Sequence, residues 1–254
     1  MCGRFVSASP PERIAAYFGA DVDVESLGEN FNVAPTNDIY AVVASSDATG
    51  KSGNDPSAPP QLRAFQWGLL PVWAKDRKVG QKMINARAET LAEKPAFKGV
   101  FKKHRCIIPM DGFYEWVPGA PDGPVTKAGK PIKRPQFIHR ADGEPLAVAG
   151  LWSAWRDKSE GPGAPWLHTA SVITTSANAT MEPVHNRMPA LLPKAMWHLW
   201  LDPNNQNIEM LQKLLVPAPD DVLTMHEVST DVNNVRNKGE RLIEPVSSSS
   251  SGPR

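Results

Sequence analysis

The chain has 254 residues, 41% hydrophobic and 22% charged, with a formal net charge of +1. That length supports one full-sized domain, and a charge so near zero excludes a polycation that coats nucleic acid, while leaving room for a local basic groove. No apolar run is long enough to span a bilayer and the first residues carry no secretory pattern, so no membrane partner is expected. Two cysteines, Cys2 and Cys106, make no disulfide framework and fit a reducing, intracellular setting. His104 and Cys106 lie close together without a Cys-x-x-Cys or His-Glu-x-x-His pattern, so neither a metal nor another cofactor is expected.

The predicted elements begin with a short strand over 2–6. A helix follows, with Ser9 as N-cap, Pro10 and Pro11 in its first turn, Glu12 against its positive end and Gly19 as its stop. Ile14, Tyr17 and Phe18 share its apolar face. Residues 39–44 and 62–67 read as paired strands across a Ser/Gly/Asp/Pro-rich loop at 45–61. Residues 92–103 read as helical or as a pair of short turns, with Phe97, Val100 and Phe101 inward. Two buried strands, 106–110 and 113–117, precede a long hairpin loop at 118–135. Strands follow at 136–139, 146–152 and 169–175, then amphipathic helices at 194–201 and 208–215, and a last strand at 223–228. The tail, 247–254, is low in complexity and predicted to be disordered. No repeat and no linker divides the chain. The fold class is α+β: one domain over 2–246, with a largely antiparallel, barrel-like sheet flanked by helices.

Cys2 is the first residue with chemistry. Loss of Met1 leaves a 1,2-aminothiol, whose amine forms an imine with an aldehyde and whose thiol closes a five-membered thiazolidine. The amine has a reference pKa of about 7.7–8.0 and the thiol about 8.5, so both are partly nucleophilic near neutrality. An isolated Met-Cys start would carry no such conclusion. Here Met1-Cys2-Gly3-Arg4-Phe5 is followed by Phe31-Asn32-Val33-Ala34-Pro35-Thr36, Trp67-Gly68-Leu69-Leu70-Pro71 and Asn85-Ala86-Arg87-Ala88-Glu89-Thr90. Gly112-Phe113-Tyr114-Glu115-Trp116, Val184-His185-Asn186-Arg187-Met188-Pro189 and Val232-Asn233-Asn234-Val235-Arg236-Asn237 complete the series. In this order the motifs resemble the SOS response-associated peptidase (SRAP) family of abasic-site processing proteins, over nearly the whole chain.

The resemblance implies a DNA-damage enzyme with autoproteolytic, peptidase-class and lyase-like chemistry, acting on abasic sites in single-stranded DNA. Cys2 matches the family's nucleophile, exposed by autocatalytic loss of Met1. Asn85 matches the asparagine that bonds the cysteine adduct, Glu115 the acid/base carboxylate and His185 the active-site histidine. Arg87 and Arg187 match arginines that hold the flanking phosphates, with Arg4 and Asn32 lining the same groove. The chemistry asks for such groups independently: a carboxylate to open the sugar hemiacetal, an imidazole to protonate the departing oxygen, a neutral amide to orient the ring and arginine forks for phosphate.

Trp67 and Trp73, which flank the Gly-Leu-Leu-Pro turn, are candidates to stack on a base beside the lesion. Trp152, Trp155, Trp197 and Trp200 are expected in the core, with Cys106 an inert buried thiol. Lys75, Arg77, Lys78, Lys98, Lys102, Lys103 and Arg105 are candidates to border a DNA channel. A monomer is expected, with replication-fork proteins as further partners. The compartment follows the cell type: cytoplasm and nucleoid in a bacterium, nucleus in a eukaryote. Two other functions stay open: an N-terminal-nucleophile glutamine amidotransferase-like hydrolase, whose Arg-Gly glutamine-binding motif has no counterpart here, and a non-covalent reader of modified or single-stranded DNA.

Overall fold

The computed structural model describes residues 2–45, 58–119 and 123–246. Most of the expected loop at 45–61, part of that at 118–135 and the whole tail at 247–254 therefore lie outside the described residues. The elements are β1 (Phe5–Ser7), α1 (Pro11–Phe18), β2 (Asp21–Val22), β3 (Asn30–Val33), β4 (Asp38–Val43), β5 (Gln61–Trp67) and β6 (Asn85–Arg87). They continue with α2 (Pro95–Lys103), β7 (Arg105–Met110), β8 (Gly112–Val117), β9 (Arg134–Arg140), β10 (Leu146–Trp155) and β11 (Leu167–Ser176). β12 (Arg187–Pro189), α3 (Trp197–Leu201), α4 (Ile208–Lys213) and β13 (Leu223–Glu227) complete the chain order.

Five strands close on themselves. β5 pairs antiparallel with β4, β4 with β7, β7 with β10 and β10 with β11. β11 then returns to β5 in parallel, through Thr169–Gln66 and Ala170–Trp67. The two-residue period of each strand sorts its side chains between the two faces. Ile39, Ala41, Phe65, Ile108, Val148 and Val172 fill the inside. Tyr40, Val42, Ile107, Ala149 and Ile173 face outward, beneath Phe97 and Phe101 of α2 and Trp197 and Trp200 of α3. A second, antiparallel sheet runs β13-β9-β8-β1-β3. Its Phe5, Val33, Phe113 and Ile138 join the interior cluster, and Cys2 joins it with them.

Two local geometries shape the barrel rim. Gly68 has φ +123°, and a Cβ there would lie 2.6 Å from the Gly80 carbonyl oxygen, so the Trp-Gly-Leu turn packs backbone to backbone and takes no side chain. Thr36 holds a left-handed φ of 72°, with its N–H donating to Trp67 O at 2.9 Å.

Several boundaries correct the sequence reading. The first strand is 5–7 rather than 2–6. Ser9 is not a helix cap: its hydroxyl donates to Asp111 Oδ1 at 2.6 Å, while Asp111 Oδ2 accepts the Ala8 and Ser9 amides, and Pro10 caps α1 without a side-chain bond. Gly19 does end α1, with φ 64°. Short strands at 21–22, 30–33, 85–87 and 187–189 had no counterpart in the prediction. Arg105 borders no channel; it is buried and donates to the carbonyls of Phe101, Lys102, Trp200, Asp202 and Asn205. Trp152, Trp155, Trp197, Trp200 and Cys106 are buried as expected.

Candidate active site

The chain upstream of β1 continues alongside β8. Phe5 pairs with Phe113, and the Tyr114 N–H donates to Arg4 O at 2.9 Å. Along β8, Phe113 faces the interior cluster that holds Cys2, and Tyr114 faces away, its hydroxyl donating to Phe31 O at 2.8 Å. Alternation returns buried Glu115 to the side of Cys2. The thiol registers both features. Burial first, and the Glu115 charge second, push Cys2 well above the ordinary thiol range.

A second strand reaches Cys2 from the other sheet. β6 runs parallel to β11, setting Asn85 opposite Val172 and Arg87 opposite Thr174. The Asn85 Nδ2 donates to Cys2 O at 2.8 Å, and its buried Oδ1 has no hydrogen-bond partner among the described residues. Three residues make β6, so its place is set by β11 and not by any periodicity of its own.

β12 meets the end of β11 with Arg187 opposite Ser176 and Pro189 opposite Thr174. The Arg187 N–H donates to His185 Nδ1 at 2.9 Å, so a neutral His185 carries its proton on Nε2. The Arg187 guanidinium donates to both oxygens of Glu89, at 2.6 and 3.0 Å, and to Thr174 O at 2.6 Å. Those bonds hold Glu89 below the usual carboxylate range. Arg87 is exposed.

Arg4 and Asn32 form a separate hub. Arg4 Nη1 donates to Asn32 Oδ1 at 2.7 Å and to Val232 O at 3.0 Å. The Asn32 Nδ2 donates to the carbonyls of Val232, Asn234 and Asn237. Asn32 is fully buried, so it lines no groove; it ties the Val-Asn-Asn-Val-Arg segment to β3. Arg4 also lies 5.9 Å from the ring of Trp116, whose Nε1 donates to Asn233 Oδ1. Burial pulls both Arg4 and Lys238 below their ordinary values.

Of the two stacking candidates, Trp67 is corrected. It is 0% exposed, 5.0 Å from Phe5, and donates its indole N–H to Ile84 O, so no base reaches its face. Trp73 is 55% exposed and keeps a free face. The structure thus gathers Cys2, Asn85 and Glu115 in one place, Arg87, His185 and Arg187 around the end of β11, and Arg4 with Asn32 beneath the C-terminal segment. Glu89, Lys238 and Trp116 were missed. Glu89 and Trp116 lie inside the quoted motifs, where a carboxylate two residues from an arginine and an aromatic beside Glu115 were the available signals. Lys238 donates to Asn32 O at 2.6 Å, a contact across 206 positions that no local pattern announces.

Comparison with known proteins places the chain among relatives. A model of the SOS response associated peptidase (SRAP) family matches residues 1–235. The abasic site processing protein YoqW of Bacillus subtilis is 38% identical over 247 residues, covering 96% of this chain and 99% of that protein. The abasic site processing protein YedK of Escherichia coli is 30% identical over 258 residues, covering 97% of this chain and all of that protein. A crystal structure of a protein from Bacteroides thetaiotaomicron superposes with a TM-score of 0.76 at 26% identity, over 96% of this chain and 99% of that one. The chain belongs to the SOS response-associated peptidase family.

Proposed function

We propose that this protein recognises abasic sites in single-stranded DNA and joins them covalently through Cys2, once Met1 has been removed. The observation that carries the reading is the fixing of Cys2 itself: Asn85 holds its carbonyl at 2.8 Å, and the Glu115 charge acts on its thiol. The names of YoqW and YedK, both abasic site processing proteins, point the same way.

The chemistry balances without a cofactor. The Cys2 amine adds to the C1′ aldehyde of the opened sugar, and the carbinolamine loses one water to give an imine. The thiol then adds across the C=N bond: sulfur bonds to C1′, and the thiol proton passes to nitrogen. One C–N and one C–S bond form, and the product is a thiazolidine that shields the lesion from strand cleavage.

Glu115 moves the proton that opens the hemiacetal, and its charge acts on the buried thiol. His185 protonates the departing oxygen from Nε2, since its Nδ1 is engaged by the Arg187 amide. Asn85 anchors the Cys2 carbonyl with Nδ2 and offers its unpartnered Oδ1 to the Cys2 amine. Arg87 and Arg187 receive the flanking phosphates, and exposed Trp73 stacks on a neighbouring base.

The test is denaturing electrophoresis with intact-mass analysis, after mixing the protein with an oligonucleotide bearing one abasic site. A slow band that forms with protein lacking Met1, and not with Cys2→Ala, is expected. Correctly processed protein that gives no adduct overturns the reading.

A further inference from the structure

We propose that Glu89 is an internal competitor for the backbone phosphate that Arg187 receives, and thereby limits how tightly the protein holds any strand before the covalent step. The inference rests on the phosphate-binding role given to Arg187 above.

A guanidinium has five N–H donors. Both terminal nitrogens of Arg187 face the Glu89 carboxylate, at 2.6 and 3.0 Å. Nη2 also donates to Thr174 O at 2.6 Å. The Nε is buried with no partner within hydrogen-bond distance among the described residues. One Nη1 proton is left, which is too few for a two-bond grip on phosphate. The paired donors that suit a phosphate are the ones Glu89 holds.

Exposure gives the order of approach. The Arg187 side chain is 14% exposed and that of Glu89 52%, so an anion arriving from solvent meets the carboxylate before the guanidinium. An ion pair with one partner this exposed is weak enough for a phosphate to displace. The Arg87 charge also acts on Glu89, so two arginines flank one glutamate. Generic attraction between such cations and phosphates supplies most non-specific strand binding. A carboxylate that must move aside subtracts from that attraction on every strand alike. Intact single strands are then released readily, and lasting attachment depends on the aldehyde reacting with Cys2.

The experiment measures binding of an unmodified single-stranded oligonucleotide by fluorescence anisotropy over a salt series, alongside adduct yield with an abasic oligonucleotide. Glu89→Gln is expected to lower Kd by about 3–10-fold and to steepen the salt dependence, because one phosphate-repelling charge is gone. Glu93→Gln makes the same change in net charge four positions away and is expected to shift Kd by less than about twofold. In an Arg187→Gln background, the gain from Glu89→Gln is expected to shrink to that of Glu93→Gln. An equal gain from both glutamate variants reduces Glu89 to general surface charge and overturns the inference. Weaker binding by Glu89→Gln, with a lowered melting temperature, also overturns it, because Glu89 then serves to hold Arg187 in place. A wild type that cross-links abasic DNA through Cys2 while Glu89→Gln gains nothing sinks the Glu89 inference alone. A wild type that neither binds single strands nor cross-links sinks the reading beneath it.

Discussion

Arg105 and Arg187 are both largely covered arginines held by named acceptors, yet their surroundings differ in kind. At the junction of α2 and α3, Arg105 directs all five N–H groups at carbonyls: Phe101, Lys102, Trp200, Asp202 and Asn205. Several of these are the unpaired carbonyls of helix ends, where a cation is favoured by the helix dipole. Burial pulls this guanidinium down to about 10, and among its five bonds there is no carboxylate. Around the end of β11, Arg187 instead faces a half-exposed carboxylate and keeps one buried N–H without a partner among the described residues. The asparagines divide the same way. Asn32 directs its amide at three carbonyls and accepts from Arg4, whereas Asn85 makes one bond to Cys2 O and leaves Oδ1 unpartnered. A polar group saturated by neutral backbone acceptors fixes the fold. One left incomplete keeps the capacity for a further partner, and that difference separates the framework from the candidate site.

Arg105→Met gives the largest effect. It leaves five carbonyls without their donor and is expected to cost about 3–5 kcal/mol, roughly 10 °C in melting temperature. Thermal melts check this. A loss under about 1 kcal/mol would show that water replaces the guanidinium, and the contrast with Arg187 would fail. Asn85→Ala should act in the opposite sense. One lost donor bond costs about 1 kcal/mol of stability, while adduct formation slows on the order of 10–100-fold because Cys2 is no longer held in place. Single-turnover gel kinetics on protein confirmed to lack Met1 make the measurement. Destabilisation as deep as that of Arg105→Met, with a normal rate per folded molecule, would move Asn85 to the framework side.

The framework was far more legible in the sequence than the polar networks. β4, β5, β7, β8, β10 and β11 announce themselves by apolar alternation or buried runs, and the pairing of 39–44 with 62–67 follows from the loop between them. β6 and β12 have three residues each, too few to show a period, and both take their place from β11. They carry Asn85, Arg87 and Arg187, so the strands hardest to read are those that carry the candidate site residues. Motif order named these residues where periodicity could not. Arg105 misled because it follows Lys102, Lys103 and His104 in a basic run, and nothing local says that its side chain turns inward. Trp67 misled because a tryptophan before a Gly turn looks exposed, while strand alternation puts it inside with Phe65. Ser9 does not cap the helix because its hydroxyl is taken by Asp111, 102 positions away.

The smallest predicted effect compares the two thiols, which share a framework property and differ by one site residue. Burial raises both Cys2 and Cys106; for Cys2 the Glu115 charge is a second cause, which Cys106 lacks. In the unfolded chain a thiol titrates near about 8.5. Above that pH the unfolded state has lost protons that the folded state still holds, so stability is fully present below about pH 8.5 and falls as pH rises, by up to about 1.4 kcal/mol per pH unit for each thiol. Cys106→Ala should flatten that alkaline slope by one thiol. Glu115→Gln should lower the Cys2 value without restoring it, because burial is the larger cause, and should leave Cys106 alone. Peptide-resolved alkylation with iodoacetamide at pH 8.5 reads both at once, with Cys106 reporting how often the barrel opens. A few-fold faster Cys2 against an unchanged Cys106 is the expected result. If the two thiols accelerate together, Glu115→Gln has loosened the barrel, and Glu115 belongs with Arg105 and Asn32 in the framework.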